Sequence, residues 1–150
     1  MHATPPTSLT DSAARLRLAI VRTSRRLRQE AMVDATDLTP TSTSALAAVE
    51  RHGPLTPSER AEIERVKRPT VTRTLGCLTK AGLVERTPDP ADGRSALVSV
   101  NAAGRDRLRR LRKRKNAFLA RRMRDLPQED VETLERAAAI LEQMLEGERG

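Results

Sequence analysis

Arg68-Pro69-Thr70-Val71-Thr72-Arg73 sets two arginines and two threonines within six positions. Guanidinium groups bond guanine edges or phosphates, and threonine hydroxyls reach either. A second stretch, Asp89-Pro90-Ala91-Asp92-Gly93-Arg94-Ser95, brings one arginine to the end of a tight acidic turn. An arginine delivered in this way suits a narrow groove of negative potential. Both patterns point to the binding of a polyanion and not to bond-making chemistry. His2 and His52 are the only histidines, and neither falls at catalytic or metal-ligand spacing with Cys77. No Ser-His-Asp grouping or phosphate-cradling glycine loop occurs. The chain is therefore expected to be no enzyme and to need no metal or cofactor. Cys77 is the sole cysteine, which excludes an intramolecular disulfide. Without a resolving partner it reads as a small residue on a helix flank, with a redox sensor beside the DNA contact as the alternative.

The composition agrees. Across 150 residues, 28 Lys and Arg face 20 Asp and Glu, a net charge of +8. Such an excess favours nucleic acid or an anionic membrane surface as partner. Phe118 is the only aromatic residue. That excludes single-strand binding on stacking platforms and anchoring by an aromatic membrane belt. No apolar run approaches a membrane-spanning length and no secretory leader pattern opens the chain. The expectation is a cytoplasmic protein that does not engage membranes.

The elements that must position these side chains are mostly helical. Residues 1–8 carry two prolines and no periodicity and are expected to form a flexible leader. Thr10 or Asp11 is the expected cap of a first helix reaching about Met32. Its apolar face holds Leu16, Ile20, Leu27 and Ala31, with arginines covering the other side. Thr39 before Pro40 suits N-cap and N1, and Gly53 suits a positive-φ stop, giving a helix over about 40–52. Thr56-Pro57-Ser58-Glu59 repeats this start as a capping box for a short helix ending near Arg65. Pro54–Leu55 leaves room only for a β-bridge. A further helix starts at Pro69, turns Val71, Leu75 and Leu78 inward, and closes at Gly82. Its 3.6-residue period leaves Thr72, Arg73, Gly76 and Lys80 outward, with Gly76 permitting close approach.

Residues 83–87 and 95–100 read as strands joined by the acidic turn, with Asp92–Gly93 as a tip where glycine takes positive φ. Asn101 should cap a long helix over about 102–124, and Leu126–Pro127 interrupts it. A last helix, about 128–147, carries a seam of Val131, Leu134, Ala138, Leu141 and Leu145, widened by Ala137, Ile140 and Met144. Such breadth in a short chain suggests burial against a second subunit. Segment 105–124 is basic and segment 129–148 acidic. Two solvated faces, or a phosphate-facing strip on the longer helix, both fit that split.

Helix, short helix, tight turn, helix and hairpin in this order define a winged helix-turn-helix, in a mostly α (α+β) chain. Thr70 and Thr72 also suit ordinary helix-start chemistry, and Arg73 and Lys80 an ordinary solvated face. The adjoining arginine-tipped hairpin favours the DNA reading. At this point residues 55–105 resemble the central block of the MarR family, the multiple-antibiotic-resistance-type regulators. The resemblance rests on the Thr-x-Ser-Glu helix start, Pro-Thr-Val-Thr-Arg, a later Gly-Leu-Val, Asp-Pro-x-Asp-x-Arg, and the strand leading into Asn101-Ala-Ala-Gly-Arg. The short helix departs from the family's usual Leu-Ala-x-x-Leu-Gly by carrying charge over 60–65.

The resemblance implies one MarR-like domain over 9–150, with the winged portion at about 38–101 and dimerisation helices at about 9–35 and 102–147. It implies a homodimer on a palindromic double-stranded DNA operator. Each recognition helix would enter a major groove and each wing the adjoining minor groove. Pro69, Thr70, Thr72 and Arg73 match recognition positions, flanked by Arg68, Gly76 and Lys80. Arg94 matches the wing-tip arginine, Asp92 the acid that orients it, and Ser95 stands beside them. Ser58 matches a phosphate contact at a helix N-terminus. Leu16, Ile20, Val131, Leu134, Ala138, Leu141 and Leu145 are the expected dimer residues. The family resemblance further implies a repressor released by a small anionic or phenolic effector. A sequence-tolerant architectural DNA binder is the competing reading.

Overall fold

The computed structural model of the chain describes residues 7–32, 38–56, 58, 59, 62 and 68–147. The protein divides into two compact units, Met1–Lys115 and Asn116–Gly150. Among the described residues there are five helices and one two-stranded antiparallel sheet.

In the first unit, α1 (Leu9–Ala31) is capped by Ser8, not by Thr10 or Asp11 as expected. The Ser8 hydroxyl oxygen accepts the Asp11 backbone N–H at 3.0 Å, and the Asp11 carboxylate accepts from the Ser8 N–H and hydroxyl. Asp11 thus serves at N3 of a capping box, where its charge also favours the positive helix end. Ala31 is the helix's one buried residue, and Leu16, Leu18, Ile20 and Val21 are all more than two-fifths exposed.

The helix α2 (Pro40–His52) starts and stops as its sequence predicts. Thr39 caps it by accepting the Ser42 N–H at 3.1 Å, Pro40 occupies the first turn, and Gly53 ends it at φ 74°. The expected capping box after it is also present: Thr56 N–H donates to the Glu59 carboxylate at 3.0 Å, and Glu59 N–H to the Thr56 hydroxyl at 3.1 Å. Ser58, Glu59 and Glu62 are helical, and the remainder of the expected short helix lies outside the described residues. Leu55 forms the anticipated isolated bridge, to Val98.

The helix α3 (Arg68–Lys80) ends in a Schellman motif. Leu83 N–H reaches the Leu78 carbonyl at 3.1 Å, Gly82 N–H reaches that of Thr79 at 3.0 Å, and Gly82 takes φ 73°. The strands β1 (Val84–Pro88) and β2 (Ala96–Val100) pair with Val84 opposite Val100 and Pro88 opposite Ala96. The helix α2 packs on α3 and β2, and α3 on β1. Ala45, Leu46, Val49, Val71, Leu75, Leu78, Leu83, Val84, Val98 and Leu108 form the core. It is aliphatic throughout, and each large side chain in it contributes about 1.5–3 kcal/mol by burial.

The helix α4 (Ala102–Met123) crosses the boundary between the units. In the second unit the Arg122 guanidinium lies 5.4 Å from the Phe118 ring centre. Leu126 and Pro127 break the helix as expected, and α5 (Gln128–Glu146) follows. Glu129 and Asp130 in its first turn complement the helix dipole. No residue of α5 is buried within the chain, and Leu134, Ile140, Met144 and Leu145 are 46–66% exposed.

Candidate nucleic-acid interface

The exposed face of α3 follows from which side of it the core takes. Val71, Leu75 and Leu78 are at most 1% exposed, which fixes the helix rotation. Thr70, Thr72, Arg73, Cys77 and Lys80 then face solvent. Arg73 and Lys80 make no hydrogen bond or ion pair among the described residues, so both cations are available to an outside partner. Gly76 is half-buried, and a Cβ built there meets nothing within 4 Å. Arg68 and Pro69 lie in the first turn of α3. Thr74 donates to the Thr70 carbonyl at 2.9 Å and Thr79 to the Leu75 carbonyl at 2.8 Å. Ser58 is exposed two positions after the Thr56 cap, where helix N–H groups point outward.

The hairpin turn is built differently from its expected form. Gly93 does not adopt positive φ; only Gly53 and Gly82 do among the described glycines. The chain instead turns over residues 89–95 on two aspartates. The Asp89 carboxylate accepts the Ala91 N–H at 2.9 Å, and that of Asp92 accepts the Arg94 N–H at 3.0 Å. These Asx turns supply the bends that glycine would otherwise provide. Backbone bonds from Asp89 to Ser95, Asp92 to Asp89 and Ser95 to Asp92 close the loop. Asp92 therefore orients Arg94 through its backbone and not through its guanidinium. The Ser95 hydroxyl donates to the other Asp92 oxygen at 3.4 Å, making it a brace for the turn. Arg94 is exposed and its guanidinium has no partner among the described residues.

One connection was not read from the sequence. Asn101 caps α4 as expected, accepting the Gly104 N–H at 2.9 Å on its Oδ1. Its Nδ2 also donates to the Gly82 carbonyl at 2.8 Å, and its backbone N–H to that of Leu83 at 3.2 Å. The end of α3, the foot of the hairpin and the start of α4 are thereby joined at one residue. Gly104 completes the joint: a Cβ there would run into the Leu83 carbonyl oxygen and sit 2.8 Å from Val100 Cγ1. The available signal was a glycine one turn inside a helix, which costs about 1 kcal/mol against alanine and so points to close packing.

A helix presenting short polar and basic side chains beside an arginine-tipped hairpin defines a winged helix-turn-helix DNA-binding protein. Residues 36–95 match the MarR family model. An HTH-type transcriptional regulator from Mycobacterium tuberculosis is 35% identical over 129 residues, covering 86% of this chain and 89% of that protein. The crystal structure of a transcriptional regulator protein from Pseudomonas aeruginosa PA01 superposes with a TM-score of 0.82 at 30% identity, over 92% of this chain and 97% of that one. Apo MarR from E. coli gives 0.69 at 26% identity, over 85% and 95%. The chain belongs to the MarR family and is a DNA-binding transcriptional regulator. No described helix is long and apolar enough to cross a membrane.

Proposed function

We propose that the protein is a homodimeric repressor reading a palindromic operator, with α3 in the major groove and Arg94 in the adjoining minor groove. The observation that carries this reading is a pair of exposed arginines, Arg73 on α3 and Arg94 on the hairpin turn, neither guanidinium with a hydrogen-bond or ion-pair partner among the described residues. Thr70 and Thr72 supplement Arg73 at base edges or phosphates, Lys80 and Ser58 hold phosphates, and Gly76 admits the duplex closely. Arg68 and Pro69 open α3, and Asp92 and Ser95 hold the wing's shape.

Dimerisation is supported by two apolar faces that the single chain leaves uncovered. One is on α1, with Leu16 and Ile20. The other is on α5, where Leu134 and Leu145 are exposed, Val131 and Leu141 half-buried, and Ala138 exposed. Contiguous apolar surface of this kind favours association. Control by a small anionic or phenolic effector is supported by a pocket in the first unit lined by Met32, Leu38 and Leu111, with Arg28 and Lys115 at its wall. Apolar walls with a few cationic groups suit such a compound.

Selection of bound genomic fragments tests the reading. A palindrome with half-sites about one helical turn apart is the expected result. Recovery of fragments with no shared sequence contradicts it and favours the architectural alternative.

A further inference from the structure

Neither the reading helix nor the wing accounts for the basic run on α4. Between Arg105 and Lys115 the chain holds eight cations and one acid, Asp106. Arg105, Arg109, Arg112 and Lys113 fall within an arc of about 100° along roughly 12 Å of helix. All four are exposed. Their neutralisation by the protein is small. Asp106 is shared between Arg109 at 3.5 Å and Arg110 at 3.6 Å, and Glu50 of α2 holds Arg112 at 2.8 Å. Lys113 has no hydrogen-bond or ion-pair partner among the described residues.

Like charges four residues apart on a helix oppose its formation. Arg105 with Arg109, and Arg109 with Lys113, are such pairs. A solvated face gains nothing from this arrangement, whereas an anionic partner relieves it. The strip also begins at the joint that holds the reading helix: Arg105 donates to the Val100 carbonyl at 2.9 Å, and Asn101 is bonded to Gly82. A duplex presents a phosphate every ~3.4 Å of axis on each strand, dense enough for each cation to meet one.

We propose that the first half of α4 is a second nucleic-acid surface, contacting phosphates of the DNA that flanks the half-site read by α3. This rests on the DNA-reading assignment made above. Its consequence is a footprint longer than the palindrome, in which the flanks add affinity without adding sequence information.

The test compares two duplexes: one ending at the edges of the selected palindrome, and one extended on both sides by 15 bp of arbitrary sequence, about 1.5 helical turns. Wild-type protein and R109Q/K113Q, both exposed positions away from the reading face, are titrated on each over a range of salt. The expected result is that the extension tightens wild-type binding several-fold and steepens its salt dependence. R109Q/K113Q keeps its affinity for the short duplex but loses much of the gain, with a log–log slope on the long duplex shallower by about 1.8 per protomer engaged. An equal gain from the flanks in both proteins overturns the proposal. So does an effect of R109Q/K113Q on the sedimenting mass alone, which assigns the strip to acidic α5 of a second copy. The short duplex against a scrambled one separately reports on α3: equal binding of those two sinks the DNA-reading assignment itself.

Discussion

The Asn101 side-chain amide donates to the Gly82 carbonyl oxygen at 2.8 Å, while its amide oxygen caps α4 through the Gly104 N–H at 2.9 Å. One side chain thus satisfies a carbonyl just beyond α3 and an orphan donor of the next helix. The two bonds hold the exit of α3 against the entry of α4, so the exposed face of α3 has a defined angle to the rest of its unit. Asn101→Ala is expected to destabilise the fold by about 1–2 kcal/mol, a cap's usual worth, lowering Tm by roughly 2–8 °C. Asn101→Asp keeps the cap but loses the donor to Gly82. It is expected to fall between wild type and alanine in a thermal melt, and stability equal to wild type would show that the Gly82 bond contributes nothing.

Gly104→Ala provides a test of sign. Helix propensity alone makes alanine better by about 1 kcal/mol. The added methyl instead meets the Leu83 carbonyl, which is backbone and cannot swing aside, and Val100 Cγ1 at 2.8 Å. Overpacking of this kind costs about 1–3 kcal/mol. Denaturant unfolding is expected to show a loss of stability; a gain would show that α4 enters at a different angle.

Arg94→Ala and Asp92→Ala separate delivery from the delivered group. Arg94→Ala is expected to weaken operator binding by tenfold or more, since a groove-inserted guanidinium is lost. Asp92→Ala removes the acceptor of the Arg94 N–H and of the Ser95 hydroxyl but leaves the charge, so a smaller loss is expected. Gel-shift titration of both variants checks the order. A larger loss for Asp92→Ala would mean that the turn, and not the guanidinium, makes the contact.

Leu134→Glu with Leu145→Glu addresses dimerisation without disturbing a packed core. Both side chains are largely exposed in the single chain, at 46% and 66%. Their replacement is expected to leave the helical content unchanged and to weaken the dimer by at least about 3 kcal/mol, more than a hundredfold. Sedimentation equilibrium checks this, and an undiminished dimer would place the interface elsewhere.

The sequence made the local parts of the fold legible because their signals are local. Thr39-Pro40, the Thr56–Glu59 box, Gly82 and the Asn101 cap each act within one helical turn, and each is present. The bridge at Leu55 was legible from the shortness of the segment alone. Ser8 was missed because Thr10 and Asp11, equally good cap types, stand within three residues of it. Gly93 misled for a related reason: a glycine in a hairpin invites a positive φ, yet Asp89 and Asp92 had already made the bends. The Asn101–Gly82 bond spans 19 residues and leaves no trace in periodicity. The exposed face of α3 was legible because Val71, Leu75 and Leu78 set its rotation, and burial took those three as the spacing requires.

Arg73 is the side chain to which the proposed base reading assigns sequence discrimination. Arg73→Ala, with Thr72→Ala beside it, is expected to lower the preference for cognate over scrambled DNA by about 1–3 kcal/mol while leaving non-specific binding nearly unchanged. Competition titration at fixed salt checks it, and equal losses on both DNAs would assign these residues to phosphates.

The proposed dimer reads base edges in two major grooves and inserts Arg94 in the flanking minor grooves. Methylation interference on the selected operator tests it most directly, because guanine N7 lies in the major groove and adenine N3 in the minor. Two symmetric blocks of guanine interference about 10 bp apart, centre to centre, are expected, each flanked by adenine interference that disappears with Arg94→Ala. Binding indifferent to methylation at every guanine and adenine would contradict it.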